Sequence, residues 1–142
     1  MQPYQIALDT NVLISALRSS RGASYKLLTL IGQTDAFEIN LSVPIVLEYE
    51  EVAKRLSKDI GLSHEDIDDI LDYLCTVANK HDIFFLWRPL LRDPKDDMVL
   101  ELAVEANCDF IVTYNEKDFS SVETFGLTVI SPKTFLQQIG AL

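Results

Sequence analysis

The acidic residues of this 142-residue chain that are best placed to do chemistry stand at the ends of predicted strands. Asp9 directly follows the apolar run 6–8 and precedes an apolar helical pattern, so it lies at the carboxyl end of a strand. Three more acids come just after a predicted strand or in the first turns of the next helix, namely Glu48, Asp96 and Asp118. Open α/β sheets bind ligands at that edge. The sequence therefore predicts an acidic crevice there.

Carboxylates brought together in this way resist joint ionisation unless a proton or a divalent cation is shared between them. Hard oxygen ligands favour Mg²⁺ or Mn²⁺ over zinc. The two cysteines and two histidines are isolated along the chain, which also speaks against a zinc site. A metal held by carboxylates can activate water and stabilise charge on a phosphoryl group. The pattern thus predicts a hydrolase of phosphate esters.

Each acid also has a structural interpretation. Asp9 can simply cap the following helix, as can Thr10 or Asn11. Glu48 has Ile45 and Val52 as its helical neighbours, so it lies on the apolar side of its helix, from which it could still reach solvent.

Asp96 and Asp97 are distinguished by helical spacing. Asp97 aligns with Glu101 and is predicted to face solvent, whereas Asp96 aligns with Val99 and is predicted to face the sheet. Asp96 also occupies the third helical position, where an acid commonly completes a capping box.

The remaining pattern predicts one α/β domain over residues 1–142. Helical segments separate the predicted strands, which implies right-handed crossovers and a mainly parallel sheet with helices on both faces. The predicted strands are Ile6–Leu8, Phe37–Leu41, Ile83–Leu86, Asp109–Thr113 and Leu127–Ile130.

The amino-acid composition of the chain limits the kinds of partner that it can bind. Twenty-two acids against twelve bases give a net charge of −10, which opposes broad non-specific binding to nucleic acid. Six of those acids fall within 59–79 without Lys or Arg, as on a solvated helix face. No apolar run approaches the ~18 residues that cross a bilayer, so we expect a cytoplasmic protein without membrane association.

Four motifs together resemble those of PIN domains. They are Leu8–Leu13, Glu48 within 47–49, Asp96 ahead of Leu100 and Ala103, and Ile111–Phe119. The chain is most similar to PIN proteins that are toxins of toxin–antitoxin pairs, the VapC-type ribonucleases. The resemblance implies a three-layer α/β/α sandwich with about five strands, and an Mg²⁺- or Mn²⁺-dependent endoribonuclease.

The resemblance also implies roles for residues. Asp9, Glu48 and Asp96 would be metal ligands, and Asp118 the fourth acid or the group that orients water, with Asn11 and Thr113 in support. Many relatives have an acid where Asn115 stands, so a second metal would be held weakly unless Asp118 substitutes. Asp93 and Asp97 are less favoured ligands.

Substrate and partners follow from the same resemblance. RNA phosphates would be held by basic residues near the first helix and near the carboxyl edge, although ordinary surface charge explains them equally well. These residues are Arg18, Arg21, Lys26, Arg88, Arg92, Lys95 and Lys117. A toxin implies a small antitoxin covering the acidic cleft, and often a homodimer.

Two other functions compete with a nuclease. Residues 9–12 also resemble the first motif of haloacid-dehalogenase-type phosphatases, in which Asp9 would be the nucleophile. The leaving-group acid of that family falls at Asn11, which cannot donate a proton in this role. The other alternative is an inactive PIN scaffold that binds RNA or protein. Asp9, Glu48 and Asp96 argue against this scaffold, whereas Asn115 and the net charge of −10 favour it.

Overall fold

The computed structural model describes residues 2–82, 94–119 and 126–142, except for the side chains of residues 94 and 95. Its sheet has five strands in the order β3-β2-β1-β4-β5, and every neighbouring pair is parallel. The strands are β1 (Tyr4–Leu8), β2 (Phe37–Leu41), β3 (Asn79–Lys80), β4 (Phe110–Val112) and β5 (Thr128–Ile130). The strand that precedes Asp9 is therefore the central one.

Helices connect the strands and complete the predicted three-layer α/β/α sandwich. They are α1 (Thr10–Arg18), α2 (Ala23–Leu30), α3 (Val43–Arg55), α4 (Ser57–Ile60), α5 (His64–Val77), α6 (Pro94–Glu105) and α7 (Pro132–Gln138), with a short 3₁₀ helix at Glu116–Phe119. The mainly parallel α/β fold expected from the alternation of strand and helix patterns is confirmed.

Local sequence signals set where helices begin. The Ser42 hydroxyl accepts a hydrogen bond from the Ile45 N–H, and Ser63 and Asp66 form a reciprocal capping box. A Ser ahead of an apolar helical pattern, and a Ser with an acid three residues later, are sequence signals of such caps. Ser131 caps α7 in the same way, with Pro132 in the first turn, where its missing N–H would have no partner.

The third strand differs from the prediction. β3 pairs with the end of β2 at Asn79–Lys80, a polar dipeptide without the apolar alternation that marks a strand. The predicted strand Ile83–Leu86 lies outside the described residues. Among the described residues, no helix is long and apolar enough to cross a membrane.

The turn between α2 and β2 depends on Gly32. Gly32 has a φ of +77°, and a Cβ at this position would lie 2.7 Å from Tyr73 Oη and 2.9 Å from Val77 Cγ1. The Tyr73 hydroxyl donates a hydrogen bond to the Ile31 carbonyl at 2.7 Å, which holds α5 against this turn. A side chain at Gly32 would therefore be strained and would also clash.

We predict that Gly32→Ala lowers the free energy of unfolding by about 2–4 kcal/mol, adding left-handed backbone strain to the cost of overpacking. Gly61→Ala is the matched control, because Gly61 has a φ of +85° but a Cβ there would meet no atom within 4 Å. It should lose only about 1 kcal/mol. Urea unfolding measures the free energy of unfolding of both variants. Equal losses in the two would show that the contact with Tyr73 and Val77 adds no cost.

Candidate active site

Asp9 is the N-cap of α1 and lies at the carboxyl edge of the sheet. Oδ1 of its carboxylate accepts a hydrogen bond from the Thr10 N–H at 2.8 Å, and Oδ2 accepts one from the Thr113 hydroxyl at 2.7 Å. Only 7% of Asp9 is exposed. The register of β1 and β4 pairs Leu8 with Val112, so the next residues, Asp9 and Thr113, are neighbours. The pairing of β1 with β4 thus fixes the position of the Asp9 carboxylate.

The fully buried Thr113 hydroxyl uses its whole hydrogen-bonding capacity. It donates to Asp9, accepts from the Asn115 N–H at 3.0 Å, and accepts a long bond from Asn11 Nδ2 at 3.5 Å. Asn11 Oδ1 in turn accepts from the Tyr114 N–H at 3.4 Å. The structure therefore brings Asp9 together with Asn11 and Thr113, the two residues predicted to support it, and with the backbone of Asn115.

Tyr49 attaches α3 to the end of β1. Its hydroxyl donates to the Leu8 carbonyl at 2.5 Å, and the side chain is almost completely buried. Burial, and then the negative charge of Asp9, raise the pKa of Tyr49 far above its usual value, so the phenol stays a proton donor. Tyr49 was not among the site residues predicted from the sequence, although a buried tyrosine needs a partner for its hydroxyl.

Glu48 is half-buried and lines a cavity of about 450 Å³ with Thr10, Asn11 and Arg18. On the same helix, Glu50–Lys54 and Glu51–Arg55 form ion pairs between residues four apart. Arg55 also lines the cavity. Helical spacing therefore identified the side of α3 that carries Glu48, but not the two arginines around its cavity.

Asp96 is buried in the first turn of α6, as predicted, but the prediction for the opposite face of this helix is wrong. Asp97 is 0% exposed and Glu101 is 2% exposed, although both were expected to face solvent. The reason is that α6 contacts α3 as well as β1, β2 and β4, so more than one of its faces is covered. Asp97 is thereby a stronger candidate ligand than its spacing suggested. Asp93 lies outside the described residues.

Asp118 occupies a different environment. It is exposed, with Lys117, in the 3₁₀ helix that follows β4, while Phe119 anchors that helix in the core; exposed Asn115 directly precedes the helix. The Asp118 N–H donates to the Asn115 carbonyl at 3.0 Å. The carboxyl group of Asp118 therefore meets solvent, in contrast to those of Asp9 and Asp96.

The predicted RNA-binding residues fall into separate places. Arg18 lines the cavity of Glu48, whereas Arg21 and Lys26 line another depression. Arg88 and Arg92 lie outside the described residues, as does the side chain of Lys95.

The donor set around Asp9 has oxygen ligands only, which suits Mg²⁺ or Mn²⁺. Across 2–82, 94–119 and 126–142, no three His, Cys, Asp or Glu side chains are grouped so that they could hold a metal ion. Mg²⁺ is commonly held by one or two carboxylates together with water and substrate phosphates. Asp9 and Asp96 meet that smaller requirement in ligand chemistry, and the four-acid site stays a prediction.

The Thr113 hydroxyl yields a stability prediction. We expect Thr113→Val to lower the free energy of unfolding by about 1.5–3 kcal/mol, because it removes a hydrogen bond to a buried carboxylate. Thr113→Ser keeps the hydroxyl and should lose only about 0.8 kcal/mol for the missing methyl group. Urea unfolding at neutral pH compares them, and a valine variant as stable as the serine variant would contradict this assignment.

Comparison with known proteins supports the resemblance seen in the motifs. The structure is similar to a chain in the crystal structure of VapBC2 from Rickettsia felis bound to a DNA fragment from their promoter, with a TM-score of 0.60 and 18% identity over 88% of this chain and 96% of that one. No curated protein sequence matches. Residues 5–117 match the PIN domain family. This chain therefore belongs to the PIN domain family.

Proposed function

We propose that the chain is an Mg²⁺- or Mn²⁺-dependent endoribonuclease that hydrolyses phosphodiester bonds at the carboxyl edge of its sheet. The observation that carries the proposal is the buried Asp9 carboxylate, held by Thr10 and Thr113 at the end of the central strand. A carboxylate fixed in this way is pre-organised for a cation, because its orientation does not have to be selected on binding.

Asp9 and Asp96 are the proposed direct ligands, and Glu48 and Asp118 the further acids of the site. When bound, the metal ion would lower the pKa of a water molecule and offset charge on the phosphoryl oxygens. The chain contributes orientation: Thr113 holds Asp9, and Tyr49 holds α3, which carries Glu48, against the end of β1. Exposed Asp118 is suited to accept the proton from the attacking water.

A toxin role is the finer part of this proposal. Its support is the likeness to a chain of VapBC2, which was crystallised with a DNA fragment from the promoter. By extension we propose a small antitoxin that covers the acidic edge of this chain. The homodimer and the cytoplasmic location stay predictions from the sequence.

The phosphatase alternative fits the site less well. Its leaving-group acid would be Asn11, whose amide instead donates to Thr113 and accepts from the Tyr114 N–H. The inactive scaffold is the stronger competitor, because Asn115 and the net charge of −10 both suit it. RNA cleavage and metal binding distinguish the nuclease from the inactive scaffold.

We predict that the chain cuts labelled tRNA or single-stranded RNA with Mg²⁺ or Mn²⁺, and that Asp9→Asn and Asp96→Asn each reduce cleavage by more than about a hundredfold. Loss of an outer partner of a metal ligand costs roughly 10–100-fold, and loss of a ligand should exceed that. Glu105→Gln, an exposed acid at the far end of α6, is the control and should cleave normally. Failure of the natural chain to cut any RNA in the panel would favour the inactive scaffold.

Metal binding can be tested without activity. Saturating Mn²⁺ should raise the melting temperature of the natural chain, since a ligand at a hundred times its dissociation constant stabilises by about 2.7 kcal/mol. Asp9→Asn should abolish this shift, whereas Glu105→Gln should keep it. An equal shift in all three proteins would place the metal elsewhere.

A further inference from the structure

A basic depression lies where α2 begins against α7. Its volume is about 390 Å³, and Arg21, Lys26 and Lys133 line it with Ser20, Tyr25 and Thr29. Arg21 and Lys26 flank the start of α2, whereas Lys133 comes from α7, more than a hundred residues later in the chain. Contact between α2 and α7 brings these cations together.

The charge of the basic depression contrasts with that of the chain. Three of the chain's twelve Lys and Arg residues converge here, although the net charge is −10. Of the residues that the structure describes, no Asp or Glu lines the depression. In the part of the chain that the structure describes, the ion pairs of Lys54 and Arg55 do not involve Arg21, Lys26 or Lys133. Such a concentration of positive charge suits a polyanion.

The basic depression is connected to the candidate active site by Tyr114. The hydroxyl of Tyr114 forms a hydrogen bond with that of Ser24, which is buried in the first turn of α2. The backbone N–H of Tyr114 donates to Asn11, and its sequence neighbour Thr113 holds Asp9. One residue therefore contacts both the start of α2 and the hydrogen-bond network of Asp9.

Two aromatic rings are exposed here, one in the lining of the basic depression and one beside the network of Asp9. Tyr114 is 48% exposed and Tyr25, which lines the basic depression, is 39% exposed. The hydrogen bond to Ser24 fixes the orientation of Tyr114, so little side-chain entropy would be lost if a base stacked on it. Exposed aromatic rings beside cations are the usual surface for single-stranded nucleic acid.

We propose that the basic depression binds the phosphate backbone of single-stranded RNA, and that bases of that strand stack on Tyr25 and Tyr114 as it approaches Asp9. The inference rests on the proposed function and deepens it by naming where the substrate lies and which strand form it takes. It also accounts for how an acidic chain can hold a polyanion: the favourable contacts are local, while the acidic face of α5 stays in solvent.

The test measures RNA binding separately from cleavage. All variants carry Asp9→Asn to prevent cutting, and fluorescence anisotropy follows a labelled single-stranded RNA in Mg²⁺ over a range of salt. Lys26→Ala with Lys133→Ala should weaken binding about tenfold or more. It should also lower the slope of log affinity against log salt by about 1.4, since each lost phosphate contact contributes ~0.7 for single strands.

A matched double variant controls for charge alone. Lys58 and Lys80 are exposed elsewhere, and replacing both with alanine should leave the affinity and the salt slope nearly unchanged. Tyr25→Ala should weaken binding by about fivefold or more, as loss of stacking costs ~1–3 kcal/mol per base, whereas Tyr25→Phe should bind normally. Melting temperatures confirm that each variant is folded.

The outcomes separate this inference from the proposed function. If the natural chain cuts RNA but the Lys26–Lys133 and Lys58–Lys80 double variants weaken binding equally, the role proposed for the basic depression is overturned. The proposal that the chain is a nuclease then still stands. If the natural chain cuts nothing yet binds RNA through Lys26 and Lys133, the depression is supported and the nuclease falls. Preference for double-stranded over single-stranded RNA would overturn the stacking role of Tyr25 and Tyr114.

Discussion

The hydrogen bond from the Thr113 hydroxyl to Asp9 is the contact on which the candidate site depends. It joins the ends of the two central strands, and the same hydroxyl accepts bonds from Asn11 and Asn115. A buried carboxylate is costly unless its oxygens are satisfied. The Thr113 side chain therefore both positions the Asp9 carboxylate and helps to satisfy its hydrogen-bonding capacity.

Burial of acids continues on α6, where Asp96, Asp97 and Glu101 are all nearly inaccessible. Carboxylates are rarely enclosed unless hydrogen bonds or charges compensate them. Two of the three, Asp96 and Asp97, stand in the first turn of α6, which packs on β1 and β4.

Much of the fold could be predicted because its signals are local. The strand at Phe37–Leu41 follows from alternation, and the starts of α3 and α5 follow from Ser42 and from the Ser63–Asp66 pair. Asp9 could be placed at the edge of the sheet because a strand ends and a helix begins at this residue. The burial of Asp97 could not be predicted, since it depends on which elements cover α6. For the same reason Lys133 could not be associated with Lys26: contact between α2 and α7 has no local signal.

Tyr49 has a consequence for motion at this edge. It is adjacent to Glu48 in sequence and bonds to the carbonyl that immediately precedes Asp9, so the spacing of two acids from different elements depends on a single core side chain. Segments held by such fully buried residues open only with the cooperative loss of the core. Exchange of the amide hydrogens around Tyr49 should then be as slow as global unfolding allows. Through this bond the backbone beside Glu48 is held against the backbone beside Asp9, so we expect their relative position to change only when the core opens.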